Sequence, residues 1–215
     1  MIELGQFTPR LALGWQTLCE RSGDAAITFD DGPDPQTTPA LLRTLDALNL
    51  KATMFVIGQK CRGNATLLRE ITAAGHTLAC HGYAHERHWF KKSSFVTASI
   101  RQTLFLLQDY GLQMAPLFRP PFGAIDFRMH RRVVELKCTP VLWSAHVSDW
   151  KQQSPIELRQ RMAASVHDRM ILLLHDGHET SPNVREQLPY LRDEIERRGL
   201  HSVTLATAAG SLVTA

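Results

Sequence analysis

Two adjacent carboxylates end a short apolar run near the start of the chain, in AITFDDGPDP at residues 26–35. Asp30 and Asp31 repel each other when both are ionised, and Gly32 and Pro33 stop a strand or a helix from continuing. A turn needs one such side chain, not two neighbouring ones. The rest of the chain must therefore supply a cation or a shared proton that offsets this repulsion.

Two histidines four residues apart, in HGYAH at residues 81–85, can both reach one ion. In a chain with 10 histidines the pair alone is weak support, and it also fits two surface histidines in a turn. The carboxylates favour a metal site, because one Asp and two neutral imidazoles form a three-ligand zinc site with an open position. Asp31 would be the third ligand, and Asp30 would take a proton from bound water, whose pKa zinc lowers to about 7.

A proton donor for a leaving group is also present in the sequence. His175 ends the apolar run MILLLH at residues 170–175 and is the candidate general acid. A histidine at such a place is often structural, but a nearby Asp149 would raise its pKa and fix its tautomer. Arg119 would similarly keep Asp30 in place and ionised, with a salt bridge at the end of a barrel as the alternative.

Short strand-like runs alternate with helix-length amphipathic segments along the chain. Strands are predicted at residues 25–29, 52–58, 76–81, 116–119, 139–146, 169–175 and 201–205. Helices are predicted at residues 37–50, 64–75, 93–111, 126–137, 154–166 and 181–199, with Asn64, Asp126 and Ser154 at helix starts. The alternation predicts an α/β fold with a parallel sheet, and the length fits a closed or nearly closed barrel slightly smaller than the eight-fold one. A doubly wound open sheet is the alternative.

The candidate chemical residues share one position relative to these elements, because each lies at or just after the end of a predicted strand. They are Asp30, Asp31, His81, His85, Arg119, Asp149, Trp150 and His175. The carboxyl ends of the strands of a parallel barrel lie on one face, where active sites form. The sequence therefore predicts a single site on that face.

Composition limits the class of protein. The 215 residues, of which 44% are hydrophobic and 21% charged, fit one domain over residues 1–215. The formal charge is +3, and the longest basic cluster, HRR at 130–132, fits a solvated helix face better than a nucleic-acid patch. No run approaches the ~18 apolar residues of a membrane span.

The four cysteines form no C-x-x-C pair and are predicted to be reduced and mostly buried; they are Cys19, Cys61, Cys80 and Cys138. Cys80 precedes His81 and is interpreted as a buried strand residue, with metal ligation as the alternative. Residues 1–18 lack a basic segment followed by an apolar core, so no signal peptide is predicted. Together these features predict a cytoplasmic protein.

Five segments, in chain order, resemble the five motifs of the polysaccharide deacetylase family, carbohydrate esterase family four, which shares its homology domain with the rhizobial chitooligosaccharide deacetylase. They are TFDDGP (28–33), HGYAH (81–85), RPPFG (119–123), SDW (148–150) and LLLH (172–175). The resemblance covers about residues 25–205. It implies a distorted (β/α)7 barrel and metal-dependent removal of acetyl groups, usually from N-acetylated sugars.

The resemblance also implies a role for each matching residue. The divalent cation, most simply zinc, would be bound by Asp31, His81 and His85. Asp30 would be the base and His175 the acid. Asp149 would orient His175, and Arg119 would steady Asp30.

The same resemblance places three residues around the substrate and identifies two departures. The backbone N–H of Phe122 would help to hold the oxyanion, and Trp150 and Leu173 would line a pocket for the acetyl methyl group, with core packing as their alternative. The family usually has Ser or Thr where this chain has Gly82, which predicts a looser metal loop. It usually has an acid where this chain has His146, which predicts a differently connected Arg119.

The leading hypothesis is a metal-dependent N-deacetylase of an amino-sugar glycan or glycoconjugate, with carbohydrate as its binding partner. An O-acetyl esterase, or a hydrolase of small cyclic amides, would use the same site. A glycan-binding module with a decayed site is the non-enzymatic alternative. The remaining histidines are predicted to be structural or exposed: His76, His88, His130, His167, His178 and His201. Of these, His178 is close enough to His175 in sequence to reach the cleft, although a loop position explains it equally well.

Overall fold

Parallel strands curl into one sheet in the computed structural model of the protein, which describes residues 22–205. Within that range the strands are β1 (Asp24–Asp30), β2 (Ala52–Val56), β3 (Thr77–Cys80), β4 (Leu117–Phe118), β5 (Thr139–Pro140), β6 (Ala145–His146), β7 (Met170–His175) and β8 (His201–Val203). The helices are α1 (Thr38–Ala47), α2 (Gly58–Cys61), α3 (Ala65–Ala73), α4 (Ser93–Asp109), α5 (Phe127–Glu135), α6 (Pro155–Ser165) and α7 (Ser181–Arg197), with a 3-10 turn at Pro121–Gly123.

The strand order is β5-β4-β3-β2-β1-β7-β6, and β8 pairs with β1 outside this path. The pairings are parallel throughout the path, as the strand–helix alternation predicts. Within residues 22–205 the path ends at β5 and β6, which do not pair with each other. The prediction of a distorted seven-stranded barrel is confirmed in the form of a curled half-barrel. One domain over residues 1–215 stays a prediction, since it extends beyond the described residues.

Alternation along β1 and β7 determines which side chains reach the site. In β1, Ala25, Ile27 and Phe29 face the apolar layer that the helices cover, so Asp30 lies on the opposite, inner face. In β7, Met170, Leu172 and Leu174 face the same outer layer, which leaves His175 on the inner face. The site therefore forms at the inner, carboxyl-terminal end of the sheet.

The predicted strand at 139–146 is wrong in one respect, because the segment forms two strands. β5 pairs with β4 at one end of the sheet, whereas β6 pairs with β7 at the other end. The carbonyl of Leu142, between them, accepts a hydrogen bond from the buried Arg119 side chain. The run of apolar residues conceals this break, because continuous hydrophobicity does not show where strand pairing stops.

The six predicted helices are confirmed, with ends that differ by at most three residues. Asp126 caps α5 by accepting from the Met129 N–H, and Ser154 forms a capping box with Glu157 on α6. Asn64 precedes α3 as predicted, but its side chain donates to the Lys60 carbonyl instead of capping the helix. The four-residue α2 was not predicted.

Two further predictions concern cysteines and membranes. Cys61, Cys80 and Cys138 are free thiols, and burial raises their pKa values to about 12, 12 and 11. The Cys80 sulfur accepts the Gly82 N–H at 3.3 Å, which supports its structural interpretation. Cys19, and residues 1–18, for which no signal peptide is predicted, lie outside the described residues. In the described part of the chain, no helix is both long and apolar enough to span a membrane.

Candidate active site

Four strand ends bring the candidate residues together. Asp30 ends β1 and pairs in register with His175, which ends β7. His81 directly follows β3 and Arg119 directly follows β4, and these two strands are also paired. Parallel pairing thus places one carboxylate-bearing strand end and three imidazole- or guanidinium-bearing strand ends at the same end of the sheet.

The predicted metal ligands converge. One ligand atom from each of Asp31, His81 and His85 lies within 4.8 Å of the others. The Oδ1 atom of Asp31 is 3.4 Å from His81 Nε2 and 3.3 Å from His85 Nε2. Among the described residues this buried oxygen has no hydrogen-bond partner. A buried carboxylate oxygen without a partner, facing two imidazole nitrogens, fits a divalent cation with the donor set of a zinc site.

The backbone of Arg119 fixes the tautomer of His81. The Nδ1 atom of His81 lies 2.8 Å from the Arg119 carbonyl oxygen. Because a carbonyl only accepts, Nδ1 carries the proton and donates it, which leaves the lone pair of Nε2 directed toward Asp31. Such support of a ligating imidazole by a carbonyl is the usual arrangement in metal sites.

His178 also reaches Asp31, although the sequence left its position undecided. Its Nε2 atom is 2.6 Å from Asp31 Oδ2, the oxygen that does not face His81 and His85. Burial alone would favour the neutral carboxyl, but the hydrogen bond from His178 and the neighbouring imidazoles hold the pKa of Asp31 well below its usual range. The available signal in the sequence was the H-x-x-H spacing of His175 and His178 after an apolar strand. Two histidines three residues apart in a loop can both face the same site.

Asp30 is clamped through one of its two oxygens. Arg119 Nη1 donates to Asp30 Oδ1 at 2.7 Å and to Thr28 Oγ1 at 2.7 Å. The guanidinium is fully buried and lies over the Phe55 ring at 4.1 Å. Burial lowers the pKa of Arg119 and the charge of Asp30 opposes this, so the two charges depend on each other. The other oxygen, Oδ2, faces His81 Nε2 at 3.7 Å and remains available for proton transfer.

His175 is held by Asp149 at two points. Asp149 Oδ2 accepts the backbone N–H of His175 at 2.7 Å, and Oδ1 lies 3.0 Å from His175 Nδ1. Burial lowers the pKa of His175, but the hydrogen bond and charge of Asp149, with the charges of Asp30 and Asp31, outweigh it and raise that pKa. The Nδ1 proton therefore points to Asp149, and Nε2 is left for the cleft.

The three predicted substrate-binding residues lie around this group. The Phe122 ring is 4.4 Å from the His85 ring, and the Phe122 backbone is in the left-handed region with φ of 61°. Trp150 meets the His175 ring edge-on at 5.3 Å. Leu173 is buried and lies between Thr28 on β1 and His146 on β6 in the strand register. Left-handed backbone at a bulky residue persists only where its surroundings enforce it, as they do at many functional sites.

The loop that holds His81 and His85 is braced from helix α4. Gly82 has φ of 86°, and a Cβ atom there would lie 3.0 Å from the His88 ring and 3.2 Å from Ser99 Oγ. Ser99 Oγ accepts the Tyr83 N–H at 2.8 Å and lies 2.9 Å from His88 Nε2. The hydroxyl predicted to be missing at Gly82 is thus replaced by one from Ser99, which occupies the adjacent space.

His146, the second departure, lies beside Trp150, one of the predicted pocket residues. Its ring stacks on Trp150 at 5.6 Å, and its Nδ1 atom is 3.3 Å from Ser148 Oγ. The described contacts of the Arg119 guanidinium include one carboxylate, that of Asp30. The other terminal nitrogen of Arg119, Nη2, donates a hydrogen bond to the Leu142 carbonyl.

The assembled groups suit hydrolysis by water. The three residues that could hold a cation lie near a fixed carboxylate, Asp30, and an imidazole with a raised pKa, His175, which are the parts that general base and general acid catalysis require. Within residues 22–205 all seven predicted catalytic and metal-binding side chains take part in this cluster: Asp30, Asp31, His81, His85, Arg119, Asp149 and His175.

Comparison with protein families and curated proteins gives several matches. The family model described as polysaccharide deacetylase matches residues 18–141. The peptidoglycan-N-acetylglucosamine deacetylase PgdA of Listeria monocytogenes is 32% identical over 157 residues, which are 73% of this chain and 33% of PgdA. The chain thus spans about a third of the length of that relative. A chitooligosaccharide deacetylase of Rhizobium leguminosarum is 29% identical over 168 residues, covering 78% of each chain.

Solved structures also resemble this fold. A family 4 carbohydrate esterase from Streptomyces lividans, solved in complex with acetate, has a TM-score of 0.77 and 28% sequence identity. The similarity covers 84% of this chain and 91% of the esterase chain. The curled parallel sheet is therefore shared over nearly the whole of the described structure.

Proposed function

Because the chain belongs to the polysaccharide deacetylase family, we propose that it is a metal-dependent hydrolase that removes N-acetyl groups from an amino-sugar polysaccharide, oligosaccharide or glycoconjugate. The observation that carries this proposal is the position of the Asp31, His81 and His85 cluster between two charge pairs, Asp30–Arg119 and His175–Asp149. The names of the Listeria and Rhizobium relatives support the amino-sugar substrate.

Asp31, His81 and His85 would hold the cation, and zinc is the simplest choice for one carboxylate and two imidazoles. When bound, the cation supplies Lewis acidity toward water and toward the acetyl carbonyl. His178 fixes Asp31 by its Oδ2 atom, so that Oδ1 is presented to the cation position. The Arg119 carbonyl does the same for His81 Nε2.

Asp30 would act as the general base. Arg119 occupies its Oδ1 atom, so the other oxygen, Oδ2, would take the proton from the attacking water. The clamp also fixes the direction of Oδ2, which removes the need to reorient the base during the reaction.

His175 would act as the general acid. Its raised pKa favours a proton on Nε2 near neutral pH, and Asp149 keeps Nδ1–H turned away from the cleft. The Nε2 proton passes to the leaving nitrogen as the C–N bond breaks, which releases acetate and the free amine.

Three residues would position the acetyl group. The Phe122 N–H would donate to the oxygen of the tetrahedral intermediate. Trp150 and Leu173 would surround the methyl group, because Trp150 contacts His175 and Leu173 lies on the same inner face of β7. A cytoplasmic location stays a prediction, since it rests largely on residues outside the described range.

Two substitutions test these roles by separating metal binding from turnover. Asp30→Asn is expected to keep stoichiometric zinc but to lose acetate release by at least about 100-fold, because the base is absent. His81→Ala is expected to lose both. Zinc is measured by atomic spectroscopy and acetate by mass spectrometry, with N-acetylated oligosaccharides as substrates.

Asp46→Asn and His201→Ala serve as exposed controls and should retain both properties. Full activity in Asp30→Asn would disprove the base assignment, and full zinc in His81→Ala would disprove the ligand assignment. Acetate release from O-acetylated xylan, but not from N-acetylated sugars, would replace the proposal by an esterase. Zinc-loaded protein that binds glycans without hydrolysing them would indicate a binding module.

A further inference from the structure

Two loops run side by side outward from His85. One, residues 86–92, connects β3 to α4, and the other, residues 121–127, leads from β4 into α5. The Phe122 ring contacts His85, and the Arg87 guanidinium lies 5.3 Å from the Phe122 ring. Farther along, the Phe90 N–H donates to Asp126 Oδ2 at 3.0 Å. The two loops therefore form one continuous surface that begins at the candidate metal site.

Exposed aromatic rings concentrate on this surface, which we term the aromatic ridge: Trp89, Phe90, Phe122 and Phe127. Their exposed fractions are 41%, 70%, 54% and 65%. Trp89 and Phe90 stack on each other at 4.6 Å with an interplanar angle of 20°. Clustered exposed apolar rings are unusual on a protein surface and generally mark a binding site.

The backbone of the ridge is held in this arrangement. Phe90 has φ of 58°, a left-handed conformation that is unfavourable for a bulky residue. The bond from its N–H to Asp126 offsets this cost, and Asp126 is itself fixed as the N-cap of α5. Hydrogen bonds to the backbone of Phe90 and Met129 also lower the pKa of Asp126 and outweigh the burial that opposes them. The ridge is thus prepared before a ligand arrives, which reduces the entropy lost on binding.

Positive charge accompanies the rings. The two loops and the first turn of α5 carry four basic residues and two acidic ones: Arg87, Lys91, Lys92 and Arg128, against Glu86 and Asp126. One of the acids, Asp126, is already occupied by two backbone N–H groups. The four basic side chains are exposed, so the surface complements a ligand with negative groups.

We propose that the aromatic ridge binds saccharide units flanking the acetylated sugar, and that the substrate chain carries carboxylate or phosphate groups. This inference rests on the proposed function and names its substrate more closely. Sugar rings have flat C–H faces that pack on aromatic rings, while their substituents remain available to cationic side chains. The ridge is continuous with His85, so a saccharide held in the cleft extends directly onto it.

The length of the saccharide substrate should therefore affect its affinity for the protein and not the rate of the chemical step. Contacts made only by flanking units are the same in the ground and transition states, so they lower KM and leave kcat unchanged. An N-acetylated disaccharide gains little from the ridge, whereas a hexasaccharide gains its full benefit.

The test compares the Trp89→Ala/Phe90→Ala double variant with Phe105→Ala, an equally exposed phenylalanine on α4. The double variant should raise KM for an N-acetylated hexasaccharide about tenfold, which corresponds to about 1.4 kcal/mol of lost stacking. KM for the disaccharide and kcat for both substrates should change less than about twofold. Phe105→Ala should behave like the unmodified protein.

The charge component is tested with Lys91→Gln/Lys92→Gln. It should weaken binding of carboxylate-bearing peptidoglycan fragments several-fold, flatten the salt dependence of KM, and leave neutral chitooligosaccharides unaffected. An unchanged ratio of anionic to neutral KM would overturn this part of the proposal.

Two results would overturn the ridge as a saccharide surface. One is an unmodified protein whose KM does not fall from disaccharide to hexasaccharide. The other is ridge-dependent sedimentation with phosphatidylglycerol vesicles without any chain-length effect, which would assign the ridge to a lipid surface.

Calorimetric binding of the hexasaccharide to Asp30→Asn measures the ridge without hydrolysis. Ridge-dependent binding by a protein that hydrolyses no saccharide would reject the proposed function and leave the ridge intact. Hydrolysis without ridge-dependent binding would reject the ridge as a saccharide surface and leave the proposed function intact.

Discussion

The loop after β3 and the loop after β7 each bring two imidazoles to the same pair of carboxylates, yet they are held by different kinds of contact. The first loop, with His81 and His85, is braced by two uncharged groups. The Ser99 hydroxyl accepts the Tyr83 N–H of the loop, and the Arg119 carbonyl accepts the Nδ1 proton of His81. The second, with His175 and His178, is held by carboxylates, Asp149 and Asp31.

The pKa values of one histidine in each loop, His85 and His175, are shifted in opposite directions. Burial lowers the pKa of His85, and the charge of Asp31 does not fully compensate, which favours the neutral imidazole that its proposed role as a metal ligand requires. At His175 the hydrogen bond and charge of Asp149 prevail over burial and raise the pKa. Under the proposed mechanism the same residue type would serve as a ligand in one loop and as a proton donor in the other, because burial prevails at His85 and Asp149 prevails at His175.

The largest expected effect comes from making the second loop resemble the first, by replacing its carboxylate with an uncharged group. Asp149→Asn should lower kcat by about 10³-fold, because His175 loses both its preferred tautomer and the raised pKa. Zinc content should not change, since Asp149 does not contact the ligands. Steady-state kinetics and metal analysis measure the two effects, and a kcat within tenfold of the unmodified protein would show that Asp149 does not govern His175.

A second prediction concerns the first loop and uses the contribution of His88 to the pH dependence of protein stability. Burial lowers the pKa of His88 to about 4, against about 6.5 for a free imidazole. Between these values the unfolded chain binds a proton that the folded chain does not, so stability falls as pH decreases and is constant with respect to this group above about 6.5. The full loss approaches about 3 kcal/mol.

Urea denaturation at a series of pH values measures this slope. His88→Gln should be less stable at neutral pH but should show a smaller loss between pH 7 and pH 4. His76, whose pKa burial also lowers to about 4, lies outside the site and continues to contribute its own slope in both proteins. An identical slope in His88→Gln would show that His88 is not a titrating element of the brace.

The smallest expected effect is a loss of support behind the metal ligands. Ser99→Ala removes the hydroxyl that accepts the Tyr83 N–H and contacts His88, and should weaken zinc binding about tenfold without changing the second loop. Chelator competition gives the zinc affinity. Thr72→Ala, whose hydroxyl bonds only to backbone carbonyls of its own helix, is the matched control. Equal zinc affinities in the two variants would rule out the brace.

Much of the fold could be predicted because strand–helix alternation is a local property of the sequence. The apolar run at 169–175 and the leucine stripe of 37–50 specify their elements without tertiary information. The break between β5 and β6 could not be predicted, since the Leu142 carbonyl within it accepts a hydrogen bond from the distant Arg119 side chain, which the local sequence does not show. That contact joins residues 23 positions apart.

The site was predictable where chemistry and strand ends coincide, as at Asp30, Asp31 and His175. The position of His178 was left undecided and Ser99 was missed, both for a different reason. His178 reaches Asp31 only through the path of its loop, and Ser99 reaches Tyr83 across 16 residues from a helix whose sequence shows only amphipathicity. Supporting residues of this kind belong to common residue types, and mainly their position in three dimensions distinguishes them from other residues of the same type.

Arg119 serves the site through two chemically separate parts, its guanidinium on Asp30 and its carbonyl on His81. Every amino acid has a carbonyl, whereas only arginine supplies that fork of donors. Under the proposed mechanism, a substitution at this one position would therefore remove the support of the base while the backbone carbonyl that orients the proposed ligand His81 is still supplied by the new residue.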